Sequence, residues 1–184
     1  MNRTMLAAAA TTAAAAVLAL SSPAALAGEN VRVSGPLRSY DAALAPAGAT
    51  ARVHAVEAGH GDSAKTIITL HVKGLVPNRE YGAHAHNFAC GATGGAAGAH
   101  YQYVIDPATG GDPRKASIDP AFANPENEIW LDFTTNAAGN AMAKAVVDWH
   151  MPDTRRAASV VIHVRHTDHT GAAGARAACI TVPF

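Results

Sequence analysis

Residues 66–73 read TIITLHVK, a run in which Ile68, Leu70 and Val72 fall on one face and Thr69 and His71 on the other. Period-two alternation is the mark of a β-strand with one buried side. The same period runs through 158–165 (ASVVIHVR), where Val160, Ile162 and Val164 turn to a core and His163 turns away from it. Further short runs of strand type occur at 30–34 (NVRVS), 51–57 (ARVHAVE), 81–87, 128–135 (EIWLDFTT), 141–148 and 177–182. Turn residues separate them, among them Gly74, Pro77-Asn78 and Ala138-Gly139-Asn140. No amphipathic helical pattern of useful length follows residue 30. The pattern predicts an all-β fold class, a Greek-key β-sandwich or barrel.

Two connections interrupt this rhythm. Residues 88–99 (FACGATGGAAGA) are rich in glycine and alanine and carry Cys90. Residues 101–127 hold Pro107, Pro113, Pro120, Pro125 and Gly110-Gly111. A connection of that length in a compact domain predicts a functional role.

The N-terminus is of another kind. Arg3, an apolar run from Met5 to Leu20 and Ala25-Leu26-Ala27 ahead of Gly28 have the layout of a secretory signal peptide, residues 1–27. The run is short and mostly alanine, so a membrane span is not expected after cleavage. No cysteine lies near the cleavage point to take a lipid anchor. The remainder, 28–184, is one domain's length and can bury a core. The expected destination is the medium, the periplasm or the cell envelope.

Net charge is zero, with a pI near 7.2. That average gives no electrostatic case for nucleic acid or for an anionic membrane surface. The two cysteines, Cys90 and Cys179, are most simply one disulfide in an exported protein. The bridge would close a loop of about 90 residues, worth about 4 kcal/mol by chain entropy.

Ten histidines are the candidate chemistry. In YGAHAH, residues 81–86, a strand would set His84 and His86 side by side on one face, with Ala83 and Ala85 on the other. His163 faces away from the apolar side of its own strand, and His100 closes the glycine-rich loop. Together they make a plausible four-nitrogen site. Imidazole donors suit copper, zinc or nickel, and a flattened set of four favours Cu(II).

At this point the chain resembles the copper/zinc superoxide dismutase family. The matching pieces are GLVPNREYGAHAHNFAC, the loop ending at GAH100, the VVIHV strand and the terminal GARAAC. The resemblance covers most of residues 30–184. It implies that His84, His86, His100 and His163 ligate copper, and that Arg176 is the arginine that draws superoxide to it. It likewise implies that Cys90–Cys179 ties the ligand loop to the arginine-bearing segment. Two departures stand out. No histidine lies between His100 and His150, so the family's zinc ligands are missing, and only residues 164–175 separate His163 from Arg176. Both resemble the copper-only branch, which implies one copper and no family-type zinc. His100 would then be a neutral ligand rather than a bridge, taking part in proton transfer with its second nitrogen bonded elsewhere. Glu128 and Asp132 can serve as such outer partners. Alternation alone, however, reads each more readily as a solvated surface carboxylate.

His54, His60, His71 and His150 read as structural or solvent-exposed. His166 and His169, flanking Asp168, offer at most an accessory metal cluster. Other functions compatible with the same residues are copper scavenging without turnover, a partner-binding sandwich, and zinc hydrolysis with Glu128 as base. Arg176 argues against the first, since a carrier has no use for it.

Overall fold

A computed structural model describes residues 30–184; the expected signal peptide, 1–27, lies outside the described residues. The strands are β1 (Asn30–Pro36), β2 (Arg38–Ser39), β3 (Thr50–Ala58), β4 (Lys65–Lys73), β5 (Glu80–His86), β6 (Phe133–Thr134), β7 (Ala141–Val147), β8 (Ser159–His163) and β9 (Arg176–Thr181). Helical turns among the described residues are single 3-10 turns at Gly61–Ser63, Gly94–Ala97 and Pro107–Thr109. The strands form two antiparallel sheets, ordered β1-β3-β4-β7 and β2-β9-β8-β5-β6.

The alternation in the sequence sets which way each strand faces. Val53, Ile68, Leu70 and Val72 of the first sheet pack against Tyr81, Ala83, Ala85, Val160, Ile162, Ala178 and Ile180 of the second, in one continuous core. His84, His86 and His163 therefore project from the far side of the second sheet. That side is not open to water. Residues 88–99, 101–127 and 164–175 roof it, so all of β8 is buried and a second small cluster forms from Ala97, Val161 and Cys179.

The structure departs from the periodicity at three places. Of the run 128–135 only Phe133–Thr134 is regular strand. Its earlier residues meet β5 through the single bridge His84↔Trp130, with Ala85 N–H donating to Ile129 O and Leu131 N–H to Ala83 O. The short β2, in PLRSY, has no alternation to announce it and is defined by pairing with β9. The third departure is at β8 and β9, where the register shifts between Ile162 and His163: Ile162 pairs with Ala178, but His163 pairs with Arg176. Ala177 is the extra residue of a β-bulge, which reverses the face on which Arg176 stands.

Candidate metal centre

His84, His86, His100 and His163 come together as the sequence places them, each offering one ring nitrogen within 4.8 Å of the other three. Among the described residues this is the one group of three or more His, Cys, Asp or Glu side chains within reach of a common ion. His84 and His86 come from β5, and His163 lies beside them because β8 pairs with β5. His100 reaches the group through a backbone bridge to His86.

The outward nitrogen of each ring is engaged, and this decides what the inward one presents. His86 Nδ1–H donates to Gly98 O at 3.0 Å, and His163 Nδ1–H donates to Gly174 O at 3.1 Å. His100 Nδ1–H donates to Glu128 Oε2 at 2.8 Å. His84 is turned the other way round: its Nε2–H donates to Thr167 Oγ1 at 2.7 Å, since that hydroxyl gives its own proton to Asp132 Oδ1 at 2.8 Å. Each imidazole so anchored keeps its proton on the outside. What faces inward is His84 Nδ1 and the Nε2 atoms of His86, His100 and His163, four lone pairs with no proton among them.

Two observations show that this arrangement fits a cation. His84 Nδ1 is buried and has no hydrogen-bond partner. His86 Nε2 and His163 Nε2 lie 3.2 Å apart, yet with both Nδ1 atoms acting as donors neither Nε2 carries the proton a hydrogen bond would need. Protonation is not the remedy. Burial, followed by repulsion from the neighbouring imidazoles, pushes His84 and His86 well below the ordinary histidine range and His163 down to about 3. A metal ion held among them would satisfy all four nitrogens at once.

Glu128 and Asp132 are not solvated surface groups, contrary to the reading alternation favours. The roof of loops excludes water from that face, and Glu128 is only 2% exposed. Its carboxylate accepts from His100 Nδ1 and Trp130 Nε1 on one oxygen and from Gln102 Nε2 at 2.9 Å on the other. Asp132 accepts from Ala83 N, Thr167 N and Thr167 Oγ1, and its Oδ2 lies 3.2 Å from His166 Nδ1. Both carboxylates are thus positioned behind a ring of the site. His166 belongs to this support rather than to a cluster with His169.

Arg176 donates to Gly94 O and Gly98 O of the glycine-rich loop. Gly98 O is also the acceptor for His86, so one carbonyl joins the arginine to a ring of the site. Gly98 itself requires its residue type, with φ at 73° and the Phe88 ring 2.5 Å from where a Cβ would stand. Arg176 shares a cleft of about 290 Å³ with His100, His163, Arg165 and Ser117. His100 also borders a second cavity of about 300 Å³ on its other side, with Phe88, Gln102, Ile105 and Lys115.

The 101–127 connection covers this region. Pro113 O accepts from Ala99 N and Asn87 Nδ2, and Asp106 is buried within the loop. Gly82, two residues before His84, leaves room for the 164–175 segment: a Cβ there would lie 2.5 Å from Arg165 O. Cys90 and Cys179 form the expected disulfide, with Cα atoms 5.8 Å apart.

Sequence reasoning missed Gln102, Trp130, Thr167 and Arg165. Thr167 and Arg165 sit in HVRHTDH, a segment conspicuous for its histidines, and a hydroxyl behind a ligand has no spacing signature. Comparison with protein-family models and with curated proteins returns no match to this chain.

Proposed function

We propose that the protein is an exported, copper-dependent superoxide dismutase of the copper-only kind, on a Greek-key β-sandwich. His84, His86, His100 and His163 hold its single copper. The observation that carries the reading is the set of four inward lone pairs beside a cleft that contains Arg176 and Arg165. An all-nitrogen donor set suits Cu(II), which also leads the divalent series in affinity. Glu128 occupies His100 Nδ1, the nitrogen a zinc bridge would need, and this favours one copper without zinc.

Copper bound there supplies one-electron chemistry, by which one superoxide is oxidised to oxygen and the next, with two protons, is reduced to peroxide. The protein's own residues do the rest. The Arg176 guanidinium is a fixed cation that attracts a small anion and can hydrogen-bond to it. Glu128 holds His100 in one tautomer, so that a proton taken up at His100 Nε2 would create an imidazolium beside a buried carboxylate. Thr167 and Asp132 keep the His84 ring from turning over.

The test is direct superoxide decay, followed by pulse radiolysis on disulfide-intact protein loaded with one copper. Decay accelerated in proportion to protein supports the dismutase reading. Decay at the spontaneous rate with copper still bound refutes it and leaves a protein that only holds copper. Arg176→Ala should slow turnover while sparing copper affinity, with Arg176→Lys intermediate. Equal turnover in all three proteins would remove the assigned role.

A further inference from the structure

A net charge of zero averages over faces that are unlike one another. The solvent side of the first sheet is laid out in cross-strand rows: Ser34, Arg52, His71 and Met142; Arg32, His54, Thr69 and Lys144; Pro36, Thr50 and Lys73; Asn30, Val56, Ile67 and Val146. Among the described residues no aspartate or glutamate projects from these rows. Asp148, just beyond β7, pairs with Lys65 at the margin. Arg32, Arg52, Lys73 and Lys144 are all exposed, and none of them is engaged in an ion pair or a side-chain hydrogen bond. The described carboxylates lie elsewhere: most are on the loops or around the metal centre, Glu80 is at the start of β5, and Glu57 of β3 is buried on the sheet's other side and paired with Arg156. Four unpaired cations on one flat face repel each other and favour an anionic partner.

Within this face is a depression of about 280 Å³ lined by Ser34, Thr50, Ala51, Arg52, His71 and Lys73. Two fixed cations, two hydroxyls and an imidazole are donors suited to a phosphate group. Apolar side chains stand among the cations: Met142 is 62% exposed and Val146 48%. A dissolved polyanion has no use for these, whereas a lipid surface takes up both kinds of side chain. The metal centre lies on the far side of the other sheet, so its cleft stays open when this face is covered.

We propose that the outer face of the β1-β3-β4-β7 sheet docks on an anionic phospholipid bilayer, with the Arg52–Lys73 depression seating a headgroup phosphate. Each Lys or Arg near such a surface multiplies partitioning by about fivefold. The test is co-sedimentation of the full chain with phosphatidylglycerol vesicles and with phosphatidylcholine vesicles. The readout is the ratio of the two, to which an apolar N-terminal segment common to all variants contributes equally. The parent should favour phosphatidylglycerol by about 600-fold, and R52Q/K73Q should lose about 25-fold of that. R38Q/K115Q, an equal change in net charge away from this face, should retain the preference. M142S/V146S should weaken vesicle binding and leave binding to soluble polyphosphate unchanged. A parent without lipid preference, or equal losses in the two charge variants, overturns the proposal. So does vesicle binding that M142S/V146S leaves intact, because the occupant is then a dissolved polyanion.

Discussion

Replacing Glu128 by glutamine keeps the shape of the side chain and removes its charge. The native carboxylate accepts three hydrogen bonds, from His100, Trp130 and Gln102, in a setting 2% exposed. An amide has one oxygen and one NH2. With its oxygen toward His100 and Trp130, the NH2 confronts Gln102 Nε2; Gln102 cannot simply turn over, because its Oε1 accepts from Asp106 N and its Nε2 also donates to Phe122 O. The variant therefore loses one hydrogen bond to a charged acceptor and buries a donor facing a donor, about 3 kcal/mol together. In a domain of this size that lowers Tm by roughly 9 °C. The neutral acceptor still holds His100 Nδ1–H but makes Nε2 less basic, which should weaken copper binding between about 10-fold and 100-fold. Glu128→Leu, which also frees the tautomer, should weaken it further. Differential scanning calorimetry of the copper-free proteins and chelator competition of the loaded ones read the two effects separately. If both variants match the parent in Tm and copper affinity, Glu128 does not position His100 and does not fix the lone pair at its Nε2.

Acid should destabilise the copper-free protein well before it affects ordinary carboxylates. Burial holds His163 neutral in the fold down to about 3, and His84 and His86 shift the same way. The unfolded chain protonates these rings near 6.5, so their contribution is complete above that pH and falls away on the acid side, that of His163 being lost as pH falls towards 3. For His163 alone the loss is about 2 kcal/mol at pH 5, and copper should suppress it. An apo-protein Tm that is the same at pH 5 and pH 7 refutes the assignment. Thr167→Val removes the acceptor for His84 Nε2 and one donor to Asp132; copper affinity should fall about tenfold, with His84 free to turn over, as ring NMR shifts would report. C90S/C179S opens a loop whose ends are 89 positions apart in sequence and should cost about 4–5 kcal/mol by urea denaturation. It should also slow turnover, because the freed segment supplies both carbonyls that hold Arg176.

Much of the fold was legible because strand alternation is local. Ile68, Leu70 and Val72 face the core as their spacing requires, and Ala83 and Ala85 do the same opposite His84 and His86. Where a strand departs from the period, as in 128–135, sequence reasoning assigns too much. Before Phe133 that segment meets β5 through the one isolated bridge His84↔Trp130, a pairing decided by the partner strand.

By itself the sequence determined the all-β class, the shared face of His84 and His86, the side of β8 that carries His163, and one pair of cysteines for one bridge. Only the tertiary structure decided whether those faces were wet or dry. Alternation says which side chains oppose the core, but loops distant in sequence roof the far side, and they turn Glu128 from a surface charge into a buried anchor and Asp132 into a largely covered one. Arg176 is the sharpest case. It shares the parity of Ala178 and Ile180, which face the core, and reaches His163's face only because the bulge at Ala177 inserts one residue opposite β8. A period counted along one strand cannot contain that information, since a bulge is a property of two strands in register. Charge segregation is the same kind of fact: composition sums to zero, and only the pairing of β1, β3, β4 and β7 gathers four lone cations on one face.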